Sequence, residues 1–498
     1  MIAEWVTDET QAVDFGDARL EQRLATILTA FGSQPQASLP VAMGSRNDLD
    51  AAYEFFANPR VTPDEILGGH VAATHRRIAE QPVVILASDT TELDVTRPNS
   101  VVAGAGPLDG ATRRGGLLHP LVAFTPDGTP LGTVACEWWT RAEKDASTPK
   151  PTRAERAATA IEAKESVRWV TMLRETHAVA ARHPATQVVC VADSESDIYE
   201  ALQEGQQESG LGTWIVRACQ DRVLLPTVAT EATEATNPLE KPGESSGEGA
   251  TLRSRLLRQP VLFARTLAVR ERQAKVACDT RTRRQSREAR EATLEVRAAT
   301  VTMRGPWRPS GALPGVTVNA VLVQEGNPPP GEVAIEWLLL TNLPIDDPEA
   351  VRRVIAYYCV RWMIEVFFRV LKSGCRVESR RFAAMDRVWN FTAVCVVVAW
   401  RTLLVCRLGR EFPAVSCESV FEPSEWQSVY RVVTGEPPPA EPPCLREMVR
   451  MVAVLGGFVN RAKGSEPGPE TIWKGLQRMR DYAHAWDLFG PGTKNEQK

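Results

Sequence analysis

The feature that most constrains this 498-residue chain is a set of four polar residues at helical spacing: Tyr358, Arg361, Glu365 and Lys372. A helix turns about 100° per residue, so these positions share a stripe about 60° wide. Apolar residues occupy the opposite side of the same segment: Val360, Met363, Ile364, Phe367, Val370 and Leu371. The pattern predicts an amphipathic helix with its apolar side on a core. Its polar side carries one carboxylate among cations and a phenol, which suits a metal site acting on a charged backbone. The alternative is that Glu365 pairs with Arg361 or Arg369 along the helix.

Two short apolar runs upstream end in acids. Residues 82–87 read as a buried strand that leads to Asp89, and residues 188–192 as a second strand that leads to Asp193. An acid just past a buried strand points out of the carboxyl edge of a sheet, although Asp also commonly begins a turn or caps a helix. With Glu365 these acids make three carboxylates, and such a set can hold two divalent cations about 4 Å apart. Mg²⁺ is the expected cation because it prefers oxygen ligands and keeps several waters.

These residues resemble a known family. The segment 358–372 is similar to the Y-x2-R-x3-E-x6-K motif of IS4-type DDE transposases, and most similar to their Tn5 transposase branch. The other resembling segments are Asp89-Thr90-Thr91 (first Asp), Val191 to Asp197 (second Asp), Trp337 to Thr341 and Glu137-Trp138-Trp139-x-Arg141. Two departures stand out: Ser194 replaces an Arg that usually follows the second Asp, and Cys219 replaces a Lys two residues beyond Arg217, although Arg222 lies close in sequence.

The resemblance also sets the expected domains. Phe15 to Leu24 and Ala52 to Asn58 resemble a DNA-end-binding domain, and Leu455 to Phe458 and Ile472 to Leu476 resemble a helical pairing domain. We therefore expect an α/β fold: a helical N-terminal DNA-binding domain (1–75), a ribonuclease-H-like catalytic core (76–436) and a helical C-terminal dimerisation domain (437–498). A β-rich insertion is expected at about 222–332 within the core.

The resemblance implies a DNA transposase. Asp89, Asp193 and Glu365 would hold two Mg²⁺ ions, for which Mn²⁺ can substitute. The enzyme would bind terminal inverted repeats, cut each end through a hairpin intermediate and join it to target DNA. The implied partners are double-stranded DNA and a second copy of the chain in a synaptic complex, with no membrane. The implied location is the bacterial cytoplasm, on the nucleoid when DNA is bound.

The resemblance also assigns DNA contacts. Tyr358, Arg361, Lys372 and Arg217 would bind phosphates. Trp337 would stack on an extruded base, with core packing as the alternative. Arg19 and Arg23 lie one helical turn apart and could reach phosphates together, or could instead pair with Asp17 or Glu21.

Composition agrees with this interpretation. The net charge is −4, yet residues 351–410 hold twelve Lys or Arg against three Asp or Glu, a local excess of nine positive charges. Phosphate binding depends on local clusters of positive charge of this kind, although a basic surface that only faces solvent would look the same in the sequence.

No run of about 18 uncharged apolar residues is evident, the longest candidate being Phe391 to Val398, and no secretory signal precedes Trp5. Zinc-type Cys or His spacing is missing as well. Pro226 to Gly249 reads as a loop, and His119 either reaches the site or is structural.

Three other functions stay open at this point. A silent DNA-binding relative would keep the fold without cutting. A ribonuclease-H-like nuclease would cut without joining. An unrelated carboxylate hydrolase such as a glycosidase would need neither a basic helix nor a metal.

Overall fold

The computed structural model describes residues 2–110, 112–143, 151–206, 212–226, 250–271, 286–308, 311–459 and 465–491. Helices and strands are numbered along the chain. The helices in these ranges are α1 (Glu4–Thr10), α2 (Ala18–Ser33), α3 (Leu39–Met43), α4 (Arg46–Ala57), α5 (Pro63–Ala79), α6 (Arg153–Ala158), α7 (Val167–Arg182), α8 (Tyr199–Glu204), α9 (Leu252–Leu257), α10 (Pro348–Val360), α11 (Trp362–Arg369), α12 (Met385–Glu411), α13 (Pro423–Thr434), α14 (Leu445–Leu455) and α15 (Pro469–Phe489). The strands are β1 (Val83–Ser88), β2 (Thr91–Asp94), β3 (Gly106–Pro107), β4 (Arg114–Phe124), β5 (Pro130–Trp139), β6 (Gln187–Ala192), β7 (Thr213–Arg217), β8 (Phe263–Val269), β9 (Arg290–Met303), β10 (Trp307–Arg308), β11 (Gly311–Ala312), β12 (Val316–Glu325) and β13 (Glu336–Thr341).

The chain divides into two compact units. The first unit comprises Met1–Thr148 with Trp362–Lys498, and the second unit comprises Pro149–Arg361. The architecture is mixed α/β with helical N-terminal (α1–α5) and C-terminal (α14 and α15) regions, as predicted, and two further helices, α12 and α13, precede the C-terminal pair. Most of the loop predicted at Pro226 to Gly249 lies outside the described residues.

The sheet of the first unit is built on β4. Strands β1 and β2 pair antiparallel with β4 in one register, with Ser88 opposite Leu121 and Thr91 opposite Leu118. They therefore form a single strand that is interrupted at Asp89 and Thr90. Strands β3 and β5 also pair with β4. The buried strand predicted at residues 82–87 is β1, buried from its second residue onward.

Helix α12 is the central helix of the first unit and packs against α2, α5, α14 and β5. By length and composition it could cross a membrane, with a mean hydropathy of 1.8 over its most apolar window of 18 residues. The shorter run at Phe391 to Val398 did not reveal this. However, 78% of that window is buried inside the protein, and the core helix of a soluble protein shows the same pattern.

The sheet of the second unit runs in the order β6-β7-β13-β12-β9-β8. Strands β6 and β7 are parallel, and each later neighbour is antiparallel. Helices α7 and α10 pack on β6. Within the described part of the predicted β-rich insertion, β10 and β11 form a short ladder, and β12, β9 and β8 extend the sheet that holds β13. The insertion thus enlarges the core sheet.

The motif segment 358–372 departs from the single helix that its spacing predicts. Helix α10 ends at Val360, and the Arg361 N–H donates to the Tyr358 carbonyl at 3.0 Å, a three-residue step that tightens the turn before α11 begins. After α11 comes a π-helical turn, Val370–Gly374, closed by the Cys375 N–H to the Val370 carbonyl at 2.8 Å. The apolar side is as predicted, because Ile364, Phe367, Val370 and Leu371 are buried, although Met363 is only half-buried.

Two glycines of the C-terminal motifs, Gly456 and Gly475, lie where α14 and α15 pack closely together. A β-carbon at Gly456 would collide with the Thr471 carbonyl, and one at Gly475 would collide with the Val452 carbonyl. Helices α14 and α15 therefore approach more closely than any larger residue would allow. The Pro-rich segment Pro437 to Pro443 lies between α13 and α14, whose buried side chains share one core with α15.

Candidate active site

Asp89 stands at the carboxyl end of β1, in the first unit. The residue is half-buried, and its Oδ1 accepts a hydrogen bond from the Thr90 N–H at 2.7 Å. The strand therefore presents an acid at its end, as the sequence predicts.

Glu365 lies in the first turn of α11, also in the first unit. The buried side chains of Ile364 and Phe367 anchor this helix, and α11 packs against β1, the strand that leads to Asp89. Glu365 itself is half-buried. One unit therefore supplies two of the three predicted acids from neighbouring elements.

Lys372 lies in the π-helical turn and forms an ion pair with Glu378, Nζ to Oε1 at 3.3 Å. The same Oε1 accepts a hydrogen bond from the Asp94 N–H at 3.0 Å. Glu378 therefore ties the motif lysine to β2. Sequence reasoning missed Glu378, whose spacing from Lys372 fits no helical pair.

Asp193 directly follows β6, in the second unit, and its Oδ1 accepts a hydrogen bond from the Glu195 N–H at 2.8 Å. It thereby caps the short 3-10 turn Ser194–Ser196. The structure therefore shows the helix-capping role that the sequence allows for Asp193. This role uses one lone pair of a carboxylate that has about four acceptor sites, so it does not exclude a metal-binding role.

Tyr358 is buried, at 7% exposure, and lies within electrostatic range of Asp193 and Arg217. Burial raises the pKa of its phenol; Arg361, which hydrogen-bonds to it, and Arg217 oppose this, and Asp193 adds to it. The phenol is therefore protonated at neutral pH and can donate a hydrogen bond. The second unit thus brings Asp193, Arg217, Tyr358 and Arg361 into one charged cluster.

Trp337 contacts this cluster through Tyr358. It is half-buried and packs edge-to-face on Tyr358, with ring centroids 6.3 Å apart. Arg217 is exposed at the end of β7. Part of the indole is packed and part is accessible, so the base-stacking role of Trp337 stays a prediction.

Asp197 and Arg222 form a buried ion pair that sequence reasoning did not assign. The Asp197 carboxylate is 0% exposed, pairs with the Arg222 guanidinium and accepts hydrogen bonds from the N–H groups of Cys219 (2.8 Å) and Gln220 (3.1 Å). Arg222 is therefore committed to Asp197 and does not replace the lysine that Cys219 displaces. Their separation of 25 residues left no local signal.

His119 is fully buried on β4. Its ring nitrogens bond to the hydroxyls of Ser88 and Thr90, the residues on either side of Asp89. Of the two roles considered from sequence, the structure shows contact with the neighbours of the predicted ligand.

The two N-terminal arginines are engaged in ion pairs. Arg19 pairs with Asp17 at 2.9 Å, as its sequence position allows, while its side chain stays 91% exposed. Arg23 pairs with Asp48 at 2.8 Å instead of Glu21. Their contact with DNA stays a prediction.

No group of three His, Cys, Asp or Glu side chains converges to hold a metal ion within the ranges that the structure describes. Asp89 and Glu365 belong to the first unit and Asp193 to the second. The donor types nevertheless fit a hard divalent cation, because all three are carboxylates. Convergence of the three acids therefore stays a prediction.

Comparison with known proteins identifies three family matches. The Transposase DNA-binding family matches residues 2–61, the Transposase DDE domain residues 163–400 and the Transposase Tn5 dimerisation domain residues 397–486. The DDE match includes Asp193 and Glu365, whereas Asp89 precedes it. Among solved structures, the cryo-EM structure of a piggyBac transposase synaptic complex with hairpin DNA aligns with a TM-score of 0.36 and 10% identity, covering 82% of this chain and 74% of that chain.

The matches succeed one another along the chain as DNA binding, catalysis and dimerisation. They confirm the predicted family and the DNA and dimer partners, and the model confirms the α/β fold class. DDE domains generally use divalent metal ions, which confirms the cofactor class. The chain belongs to the IS4-type DDE transposases of the Tn5 branch and is a DNA transposase, an enzyme of DNA cleavage and strand transfer.

Proposed function

We propose that this transposase cuts at terminal inverted repeats through a hairpin intermediate and joins the freed 3′-hydroxyl to target DNA. The observation that carries the proposal is the match to the DDE domain over residues that include Asp193 and Glu365. The charged cluster of Asp193, Arg217, Tyr358 and Arg361 supports it, since an acid beside cations and a neutral phenol suits a phosphodiester.

Asp89, Asp193 and Glu365 are the proposed ligands of two Mg²⁺ ions, for which Mn²⁺ substitutes. Such ions, when bound, activate the attacking oxygen and stabilise the leaving oxygen. The chain's own task is to position and orient the three carboxylates. Strand ends supply Asp89 and Asp193, and the anchored first turn of α11 supplies Glu365.

Phosphate binding falls to Arg361, Lys372 and Arg217 as cations and to Tyr358 as a hydrogen-bond donor. Cations neutralise phosphates without reading sequence, so these residues position the strand. Trp337 would stack on an extruded base beside the hairpin, and its contact with Tyr358 would then join base and phosphate recognition.

Residues 1–75 would bind the element end, with Arg19 and Arg23 exchanging their present carboxylate partners for phosphates. Residues 76–436 would perform catalysis, and residues 437–498 would pair two copies in a synaptic complex. The expected location is the bacterial cytoplasm, with the protein on the nucleoid when it binds DNA.

The test is Mg²⁺-dependent cleavage of a duplex that carries the inverted repeat bracketing the reading frame. Glu365→Ala should abolish cleavage and keep end binding. The matched control is Glu349→Ala, because Glu349 is likewise an acid in the first turn of a helix, α10, but is 75% exposed and pairs with Arg352. Equal cutting by wild type and Glu365→Ala would contradict the proposal.

Strand transfer separates the remaining functions. With a pre-cut end and a target plasmid, a transposase joins the two, whereas a nuclease leaves them separate. A silent DNA-binding relative would bind ends and do neither. Cleavage that persists in EDTA would instead point to a hydrolase without a metal.

A further inference from the structure

Asp89 is flanked by a hydrogen-bonded bridge, in which the His119 ring joins the hydroxyls of Ser88 and Thr90; we call this bridge the brace. The His119 side chain is buried at 0% exposure, with Nε2 2.8 Å from the Ser88 hydroxyl and Nδ1 2.9 Å from the Thr90 hydroxyl. Ser88 and Thr90 flank Asp89. One imidazole therefore bonds to both neighbours of the predicted ligand.

The bonding works with either neutral form of the ring. A neutral imidazole has one N–H donor and one acceptor nitrogen, and a hydroxyl can donate or accept. Whichever nitrogen carries the proton, one hydroxyl accepts from the ring and the other donates to it. The brace is therefore satisfied on both sides.

The backbone at Asp89 lies in a gap of the β-ladder. Ladder pairing with β4 covers Ser88 and Thr91 but leaves out the two residues between them. Continuing the register places His119 and Pro120 opposite this gap, and Pro120 has no N–H to donate to any ladder. The Thr90 N–H is instead used by the Asp89 carboxylate.

The geometry also separates two faces. In an extended chain, residues i−1 and i+1 share one face, and residue i lies on the other. A ring that bonds Ser88 and Thr90 together therefore holds one face of the segment and leaves Asp89 for the opposite face.

We propose that His119 is a positioning residue, which fixes Ser88 and Thr90 so that the Asp89 carboxylate is held ready for a divalent cation. This inference rests on the proposed role of Asp89 as a metal ligand. Partners that orient metal ligands typically change metal affinity by 10- to 100-fold when they are removed.

Thr90→Val tests the brace with the smallest change, because it removes one hydroxyl and keeps the side-chain shape. His119→Ala removes both bonds, and His119→Gln keeps one donor and one acceptor. The matched control is His70→Gln, since His70 is also a fully buried histidine of the first unit, bonded to Glu9 and to the Thr133 N–H.

Two quantities should be measured. The first is the affinity of the transposase–duplex complex for Mn²⁺, obtained from the electron paramagnetic resonance signal of the free ion. The second is the Mg²⁺ concentration that gives half-maximal cleavage. Thr90→Val and His119→Ala should weaken Mn²⁺ binding by about tenfold or more. Excess Mg²⁺ should restore much of the cleavage in Thr90→Val, and His119→Gln should fall between His119→Ala and wild type. His70→Gln should lower the thermal midpoint and leave unchanged both the Mn²⁺ affinity and the Mg²⁺ concentration for half-maximal cleavage.

Wild-type Mn²⁺ binding by Thr90→Val and His119→Ala would overturn the positioning role, as would an equal metal defect in His70→Gln. Asp89→Asn separates this failure from that of the proposed function. If Asp89→Asn binds Mn²⁺ like wild type, Asp89 is no ligand, and both the ligand assignment and the brace fall. If Asp89→Asn loses the metal while the brace variants keep it, only the brace falls.

Discussion

At the scale of single residues, a buried polar network joins the N-terminal helix to the sheet of the first unit. His70 is fully buried, its Nε2 accepts a hydrogen bond from the Thr133 N–H at 3.0 Å, and its Nδ1 faces Glu9 Oε2 at 2.5 Å. Since Nε2 is an acceptor, the proton of the neutral ring lies on Nδ1 and is donated to Glu9. Arg77 pairs with the other Glu9 oxygen at 2.7 Å and stacks on Trp400.

This network predicts a loss of stability in mild acid. Burial lowers the pKa of His70 below its ordinary 6.5, with Arg77 acting in the same direction and Glu9 opposing. The unfolded chain therefore binds a proton as the pH falls through about 6.5 while the folded chain does not, so the free energy of unfolding decreases. The pKa of Glu9 is lowered as well, because its bonds to His70 and Arg77 outweigh burial, which adds a further loss below 4.5.

Thermal midpoints between pH 7.5 and 5 check this prediction. His183 and His177 have lowered pKa values too, so the wild-type slope must be compared with that of His70→Gln. The variant should lose part of the slope. An unchanged slope would show that His70 is not held neutral.

The buried pair of Asp197 and Arg222 predicts a large effect on stability. Arg222→Ala leaves a carboxylate of 0% exposure with only N–H partners, and breaking a buried pair typically costs about 3–5 kcal/mol. Arg174→Ala is the control, because Arg174 forms a comparable pair with Glu204 but is 54% exposed, where pairs contribute about 0–1 kcal/mol. Chemical denaturation should rank the two variants in this order, and equal losses would contradict the assignment.

At the scale of elements, Glu378 predicts an effect on DNA affinity through Lys372. Glu378→Gln removes the charge that holds Lys372 but keeps an oxygen for the Asp94 N–H. Lys372 no longer has to leave an ion pair to reach a phosphate, so affinity for the inverted-repeat duplex should rise by about two- to fivefold, as expected for a partly exposed pair. Fluorescence anisotropy would measure this.

Glu470→Gln is the control for that prediction, since it removes the partner of Lys474 in an exposed pair at 2.7 Å on α15. Its affinity should match that of wild type. Weaker binding by Glu378→Gln would mean that Glu378 supports Lys372 in the bound state.

The packing of α14 on α15 gives another prediction. Gly475→Ala forces a β-carbon against the Val452 carbonyl, and overpacking of this kind typically costs about 1–3 kcal/mol. The thermal midpoint should drop, and sedimentation velocity should show weaker dimerisation. Gly468→Ala, at the N-cap of the same helix with open space around it, should lower the thermal midpoint by less and leave dimerisation unchanged.

The elements differ in how far the sequence predicts them. Short apolar runs that end abruptly in acids predict β1 and β6 to within one residue at each end. The break at Arg361 and the π-helical turn at Val370–Gly374 were missed, since no Pro or Gly marks Arg361 and the apolar spacing continues through it. The sequence does not predict the full length of the apolar helix α12, because scattered polar residues interrupt its apolar runs although most of the helix is buried.

At the scale of the whole molecule, the family and the order of its parts could be predicted, since motifs with fixed spacing agree along the chain. The brace of His119 and the pair of Asp197 and Arg222 could not, because they join positions about 25 to 30 residues apart with no periodic signal. The meeting of three acids is likewise a property of the complete fold. A net charge of −4 coexists with a basic segment, so DNA binding depends on where the charge lies.

The most direct measurement of the central claim is the anomalous scattering of Mn²⁺ in crystals of the transposase bound to its inverted-repeat end. The account predicts two ions about 4 Å apart, bound by carboxylates of Asp89, Asp193 and Glu365 at the cleaved phosphate. Ions held by other residues, or an occupied site that omits any one of these three acids, would contradict it.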